Sequence, residues 1–122
     1  MKINVKRAYE PVSDDDGYRI LVDRLWPRGV SSEHACVNLW LRDIAPSSEL
    51  RAWYGHRTAR WPEFRERYRS ELRDHGELLD LVLDIAHHRG AVTLLFGARD
   101  EEHNQAVVLR DVLSRRPVHT HH

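Results

Sequence analysis

Lysine is almost missing from this chain: of its 19 basic residues only Lys2 and Lys6 are lysines, and the other 17 are arginines. A net charge is missing too, because 19 acidic residues cancel the basic ones and the pI is near 7.1. A nucleic-acid or anionic-membrane partner usually shows as a basic excess, so this balance removes the plainest argument for either. There is one cysteine, Cys36, which excludes an internal disulfide framework and any four-cysteine zinc site. No apolar run approaches the roughly 20 residues that cross a bilayer, and residues 1–7 lead into no signal-peptide core. These absences point to a cytosolic protein in a reducing setting, with no membrane partner. The arginine preference has two readings, recognition of carboxylate or phosphate and the codon bias of a GC-rich genome. Counting arginines therefore assigns nothing by itself.

What is present is enough for one core. The 122 residues are 41% apolar and 31% charged, and no repeat or Gly/Ser linker divides them. The expectation is one α/β domain over residues 1–115 and a flexible His-rich tail over 116–122. Apolar and polar residues alternate over 3–9, the period of a strand. Turn chemistry follows through Ser13-Asp14-Asp15-Asp16-Gly17, then a more continuously apolar strand over 18–23. Residues 30–46 are ambiguous, with a short strand around Val37–Leu41 as one reading. A short helix capped by Ser47 or Ser48 carries Leu50, Trp53 and Tyr54 and stops at Gly55. Pro62 suits the first turn of a second helix whose stripe is Trp61, Phe64, Tyr68 and Leu72. A third helix, 78–88, carries Leu78, Leu81, Val82, Ile85 and Ala86 and ends at Gly90. Residues 91–96 read as a buried strand, and a last helix is expected over about 101–113. Strands alternating with helices give an α/β class with a small three- to four-stranded, largely parallel sheet covered by helices.

In such sheets ligands bind beyond the carboxyl ends of the strands, which selects two loops. One is Asp23-Arg24-Leu25-Trp26-Pro27-Arg28-Gly29; the other is Gly97-Ala98-Arg99-Asp100-Glu101-Glu102-His103-Asn104. If their strands run parallel, the loops share one rim. Arg24, Arg28 and Arg99 would then hold an anion, Asp23 and Asp100 would orient those arginines, and Trp26 and Asn104 would help line the site. His103, placed one turn into the last helix, is the candidate general acid or base, with Asp23 and Asp100 as its catalytic company. A plainer reading makes Asp100 the cap of that helix and Asp23 half of an ion pair fixing the loop. Three acidic side chains at the helix start, with Gly97 the only glycine, argue against a phosphate cradled by backbone amides.

Other features carry less. Glu102 or Asp100 with His103 and His56 could supply metal ligands, but no pair of histidines has the His-x-x-x-His spacing, and His87 and His88 are adjacent. The reading assigns no metal and no identified cofactor. His119, His121 and His122 belong to the expected tail. Cys36 lacks a glycine-rich frame and reads as a small packed residue. Trp40, Trp53 and Trp61 fall on apolar stripes and read as core. The arginines of the 61–75 helix are answered by Glu63, Glu66, Glu71 and Asp74, which makes a solvated face.

The stretches Val22-Asp23-Arg24-Leu25-Trp26-Pro27-Arg28-Gly29, Leu39-Trp40-Leu41-Arg42-Asp43-Ile44-Ala45-Pro46-Ser47, Tyr54-Gly55-His56, Trp61-Pro62-Glu63-Phe64-Arg65-Glu66-Arg67-Tyr68 and Thr93–Ala106 together resemble the bacterial YeaO-like family, a domain of unknown function. The resemblance covers nearly the whole chain. It implies a small cytosolic bacterial α/β protein and carries no settled activity with it. Longer relatives have a Cys-His-Arg stretch near His103-Asn104-Gln105; this sequence lacks that cysteine and arginine, so the resemblance implies no thiol mechanism. The first functional reading is thus an anion or nucleotide-like ligand site, with hydrolysis or group transfer on a small polar substrate as its chemistry. The second is a non-catalytic binding or regulatory module in which the same residues are structural pairs. A nucleic-acid partner is third and needs a one-sided basic face.

Overall fold

The structure, a computed structural model, describes residues 1–117. Its elements in chain order are β1 (Lys2–Arg7), β2 (Tyr18–Leu21), α1 (Ser32–Ala35), β3 (Leu39–Trp40), α2 (Ser48–Tyr54), α3 (Trp61–Arg73), α4 (Gly76–Arg89), β4 (Ala91–Phe96) and α5 (Gln105–Arg115). The four strands form one sheet in the order β1-β4-β2-β3. Every pairing is parallel, so all four carboxyl ends emerge at the same edge. The α/β expectation holds, at its four-stranded limit.

The two-residue period of a strand sorts the side chains between faces. Ile20 and Val22 of the β2 stretch, with Val92, Leu94 and Phe96 of β4, join the main core against Leu50, Phe64, Tyr68, Leu72, Val82 and Leu109. Leu21 and Leu95 point the other way into a small cluster with Ala8, against which Trp26, Val37 and Trp40 pack. The four longer helices thus cover one face, and the other is covered mainly by the chain between β2 and β3. On that second face Arg19, 1% exposed, forms a short ion pair with Asp16. Its Nε and Nη2 also donate to the Ala35 carbonyl at 3.2 and 2.9 Å.

Local chemistry explains most boundaries. Ser47 Oγ accepts the Leu50 N–H at 3.1 Å and starts α2, while Glu71 of α3 accepts both Ser47 N–H and Ser47 Oγ. Pro62 occupies the first turn of α3. Gly55 and Gly90, both in the left-handed region, close α2 and α4. The ambiguous residues 30–46 become the single turn of α1, the two-residue β3 and a 3₁₀ turn at Arg42–Ile44.

Three expectations are corrected. The last helix begins at Gln105, not near 101, because Asn104 rather than Asp100 caps it: Asn104 Oδ1 accepts the Val107 N–H at 3.1 Å. In α4 the inward residues are Leu79, Val82, Leu83 and Ala86, whereas Leu81 is 40% exposed. Leucines at 78, 79, 81 and 83 allow two helical stripes, and packing selects the second. Arg116, assigned to the tail, is anchored by a 2.8 Å bond from Nε to Asp80 Oδ1. Residues 118–122 of that expected tail lie outside the described residues.

Candidate functional site

β2 and β4 are neighbours, with Leu21 opposite Leu95, and the loops that leave them meet. The Gly97 N–H donates to Asp23 Oδ2 at 2.8 Å. A side chain at 97 would place its Cβ 2.8 Å from that oxygen and 3.2 Å from Pro27 Cβ, so glycine is what lets the two loops close. The other carboxylate oxygen, Oδ1, accepts a short bond from the Gln105 side-chain amide in the first turn of α5. No arginine or lysine makes an ion pair with Asp23 among the described residues. Burial therefore raises its pKa to about 6; the bonds from Gly97 and Gln105 and the charge of Arg51 only partly offset the lost hydration.

Asp23 lines a cleft of about 470 Å³ whose other walls come from Tyr9, residues 24–28, the Ala45-Pro46 bend, α2 and its exit, Phe64 of α3, and Gly97, Ala98 and residues 103–105. That volume lies within the range of small-molecule sites. Arg24 is pinned to one wall, its Nε and Nη2 donating to the Pro46 and Ala45 carbonyls at 3.1 and 3.3 Å. Arg28 and Arg51 are exposed and also line the cleft. Trp26 forms an aromatic wall; its Nε1 donates to the Val30 carbonyl at 2.6 Å, and its ring meets Trp40 edge-on at 5.4 Å. Tyr54 and Phe64, stacked at 4.3 Å, add apolar surface. Burial, reinforced by the charge of Asp100, raises the Tyr54 pKa, and the hydroxyl donates to the His103 carbonyl at 3.0 Å.

His103 lies in the loop before α5, not one turn into it. Asp100 Oδ1 accepts the N–H groups of Glu102 and His103 at 2.9 and 3.0 Å, while Oδ2 faces His103 Nδ1 at 2.9 Å. These bonds lower the Asp100 pKa, the Glu102 backbone bond first among the favourable causes. The carboxylate keeps the proton on Nδ1, and the Trp61 edge holds the ring at 5.3 Å, leaving Nε2 without a partner among the described residues. Asn104, 2% exposed, also donates from Nδ2 to the Asp100 carbonyl at 2.9 Å, so its main work is capping. Asp23 and Asp100 orient a glutamine and a histidine, not the arginines. Arg99 is exposed and stands outside the cleft lining.

The cleft also contains residues that the two-loop argument misses. Arg51, Tyr54 and His56 arrive because β3 is parallel to β2, which brings the chain after it to the same rim. The signal was the Leu39-Trp40 strand followed by Pro46, masked by the ambiguity of 30–46. Gln105 was legible only once the helix start moved to 105. Among the described residues no three His, Cys, Asp or Glu side chains are grouped as metal ligands. Cys36 is exposed and lies outside the cleft.

A family model described as the inactive DUF488-N3 subclade matches residues 2–121. The chain belongs to this DUF488 family. Among its relatives, the uncharacterised protein YeaO of Escherichia coli is 42% identical over 113 residues, covering 93% of this chain and 97% of its own length. The uncharacterised protein Rv3073c of Mycobacterium tuberculosis is 40% identical over 115 residues, covering 94% and 96%. No solved structure matches the chain significantly. These relatives are matched over nearly their whole length and are uncharacterised bacterial proteins. Like them this chain is of unknown function, and no helix among its described residues is long and apolar enough to cross a membrane.

Proposed function

We propose that this protein is a non-catalytic binding module, working in the cytosol, whose cleft at the carboxyl edge of the sheet takes a small anionic ligand. One observation carries the reading: among the described residues the cleft is lined by Arg24, Arg28 and Arg51 with His56 and His103, against a single carboxylate, Asp23, and by no cysteine, serine, threonine or lysine. Guanidinium forks recognise carboxylate and phosphate directly, while the usual alcohol, thiol and amine nucleophiles are missing from the walls. The family description as inactive supports the same side.

Thermal-shift titration with inorganic phosphate, phosphate esters, nucleotides and carboxylates tests it, because a ligand that binds only the folded state must stabilise it. At least one anion should raise Tm in the wild type, and Arg24→Ala with Arg28→Ala should remove the rise. A panel in which no anion raises Tm refutes the proposal.

The His103–Asp100 pair favours a second reading, hydrolysis or transfer on the bound anion with His103 Nε2 as acid or base. Turnover of a stabilising ligand, abolished in His103→Ala while binding persists, would establish it; unchanged ligand after prolonged incubation rejects it.

A further inference from the structure

The charges that line the cleft are of both signs and do not meet. Among the described residues Asp23 has no cationic partner within ion-pair distance; its two oxygens each accept one neutral donor, Gly97 N–H and the Gln105 amide. A carboxylate has room for about four donors in all. In the same cleft, Arg24 is fixed on the Ala45 and Pro46 carbonyls, and Arg28 and Arg51 make no ion pair among the described residues. Arg51 is close enough to act on Asp23 through its charge without touching it. Opposite charges that share a partly dry cleft would normally close on one another, because each then recovers part of its lost hydration. Here the Gln105 and Gly97 bonds hold Asp23 back, and the backbone carbonyls hold Arg24 away. The cleft that all of them line, about 470 Å³, has room for a small ligand.

Resting on the anionic-ligand reading above, we propose that the ligand is dipolar, an acid that also bears an ammonium or comparable N–H cation, as an α-amino acid does. Its anionic group pairs with the arginines at the rim, its cationic group with Asp23 at the floor, and an apolar side chain has Trp26, Tyr54 and Phe64 as walls. An acid without the amine brings a negative charge toward Asp23 and leaves that carboxylate unsatisfied, which sets the selectivity.

Calorimetric titration of the wild type at pH 8, where Asp23 is ionised, separates the parts. The probes are phenylalanine, 3-phenylpropionate and phenethylamine, which share a skeleton, together with glutamate, glutarate and inorganic phosphate. An amino acid should bind about tenfold or more tightly than its deaminated counterpart, the scale of one charge-assisted contact. In Asp23→Asn that preference should fall to within about twofold while the acid alone still binds. Arg51→Gln, at an exposed position and safe for folding, should weaken the amino acid and the acid but not phenethylamine. Deaminated acids that bind as tightly as amino acids overturn the dipolar assignment and leave the anion site standing, as does a preference that survives Asp23→Asn. If phosphate and every acid fail to bind, the anion reading falls and this inference falls with it.

Discussion

Asp23→Asn should make the protein more stable at neutral pH. The carboxyl moves from its ordinary 3.8 to about 6 in the fold. At about 1.36 kcal/mol per tenfold shift in proton affinity, ionising it in place costs about 3 kcal/mol. The sign follows from proton counting: between pH 4 and 6 the folded state holds the proton and the unfolded chain has lost it, so stability falls as pH rises through that window. The penalty is absent below about pH 4 and complete above about pH 6. Asparagine keeps the shape and the oxygen that accepts the Gly97 N–H, and a rotated Gln105 amide can accept from its NH₂. Urea unfolding of wild type and Asp23→Asn from pH 4 to pH 8 should show curves that coincide at the acid end. They should separate by about 1–3 kcal/mol at pH 8, with the variant higher. Taking the difference between the two proteins isolates the contribution of residue 23. Parallel curves, or a variant less stable at pH 8, would refute the claim that Asp23 sits dehydrated and without a counter-ion.

The remaining predictions concern the frame around that carboxylate. Gly97→Ala should lower urea stability by about 1–3 kcal/mol, since its Cβ lands 2.8 Å from Asp23 Oδ2; an unchanged midpoint would deny the close approach. Asp16→Ala should cost about 3–5 kcal/mol, because it strands Arg19, 1% exposed, without its charge partner; denaturation with a loss under about 1 kcal/mol would show that water reaches the guanidinium. Asn104→Ala should cost about 1–2 kcal/mol through the lost cap and should free the amide of Val107 to faster hydrogen exchange. Protection at Val107 equal to the wild type would contradict the capping role.

How far the site was legible depends on how local each signal was. Ser47, Pro62, Gly55 and Gly90 act within their own turn, and the elements they bound match the reading closely. The meeting of the two loops needed only parallel strands, which the alternation of strand and helix implied, and the Gly97–Asp23 bond shows the loops in contact. The start of α5 failed because Asp100 and Asn104 are both good caps four residues apart. The choice between them is made by Tyr54 and by Asp100 folding back on His103, contacts that sequence spacing does not encode. The pairing of Asp23 failed for a similar reason. An aspartate followed by arginine suggests an ion pair, yet Arg24 is drawn off by carbonyls 21 and 22 residues away in sequence.

Two aspartates of this chain, seven residues apart, show what distinguishes a structural charge from an available one. Asp16 is met by the Ser13 backbone N–H at 3.0 Å, the Ser13 hydroxyl, Lys6 Nζ at 3.2 Å and Arg19. Together those partners outweigh the burial that would raise its pKa, so that it falls below the ordinary value. Its contribution to stability is therefore present above about pH 4 and lost only in stronger acid. Asp23 is half-buried, its partners are two neutral amides, and its pKa moves the other way. A sequence selected for stability alone would have put an asparagine at 23, or let Arg24 or Arg51 close on it, since either change relieves the penalty. Retaining a carboxylate that has no cationic partner among the described residues, in a cleft lined with arginines, makes sense if another molecule supplies the missing cation. On that logic a saturating amino acid should pull the apparent pKa of Asp23 back toward 4, because the ligand then favours the ionised form. Carboxyl-carbon NMR titration with and without phenylalanine reads that shift directly. A titration midpoint that stays near 6 at saturation would mean the floor carboxylate does not touch the ligand.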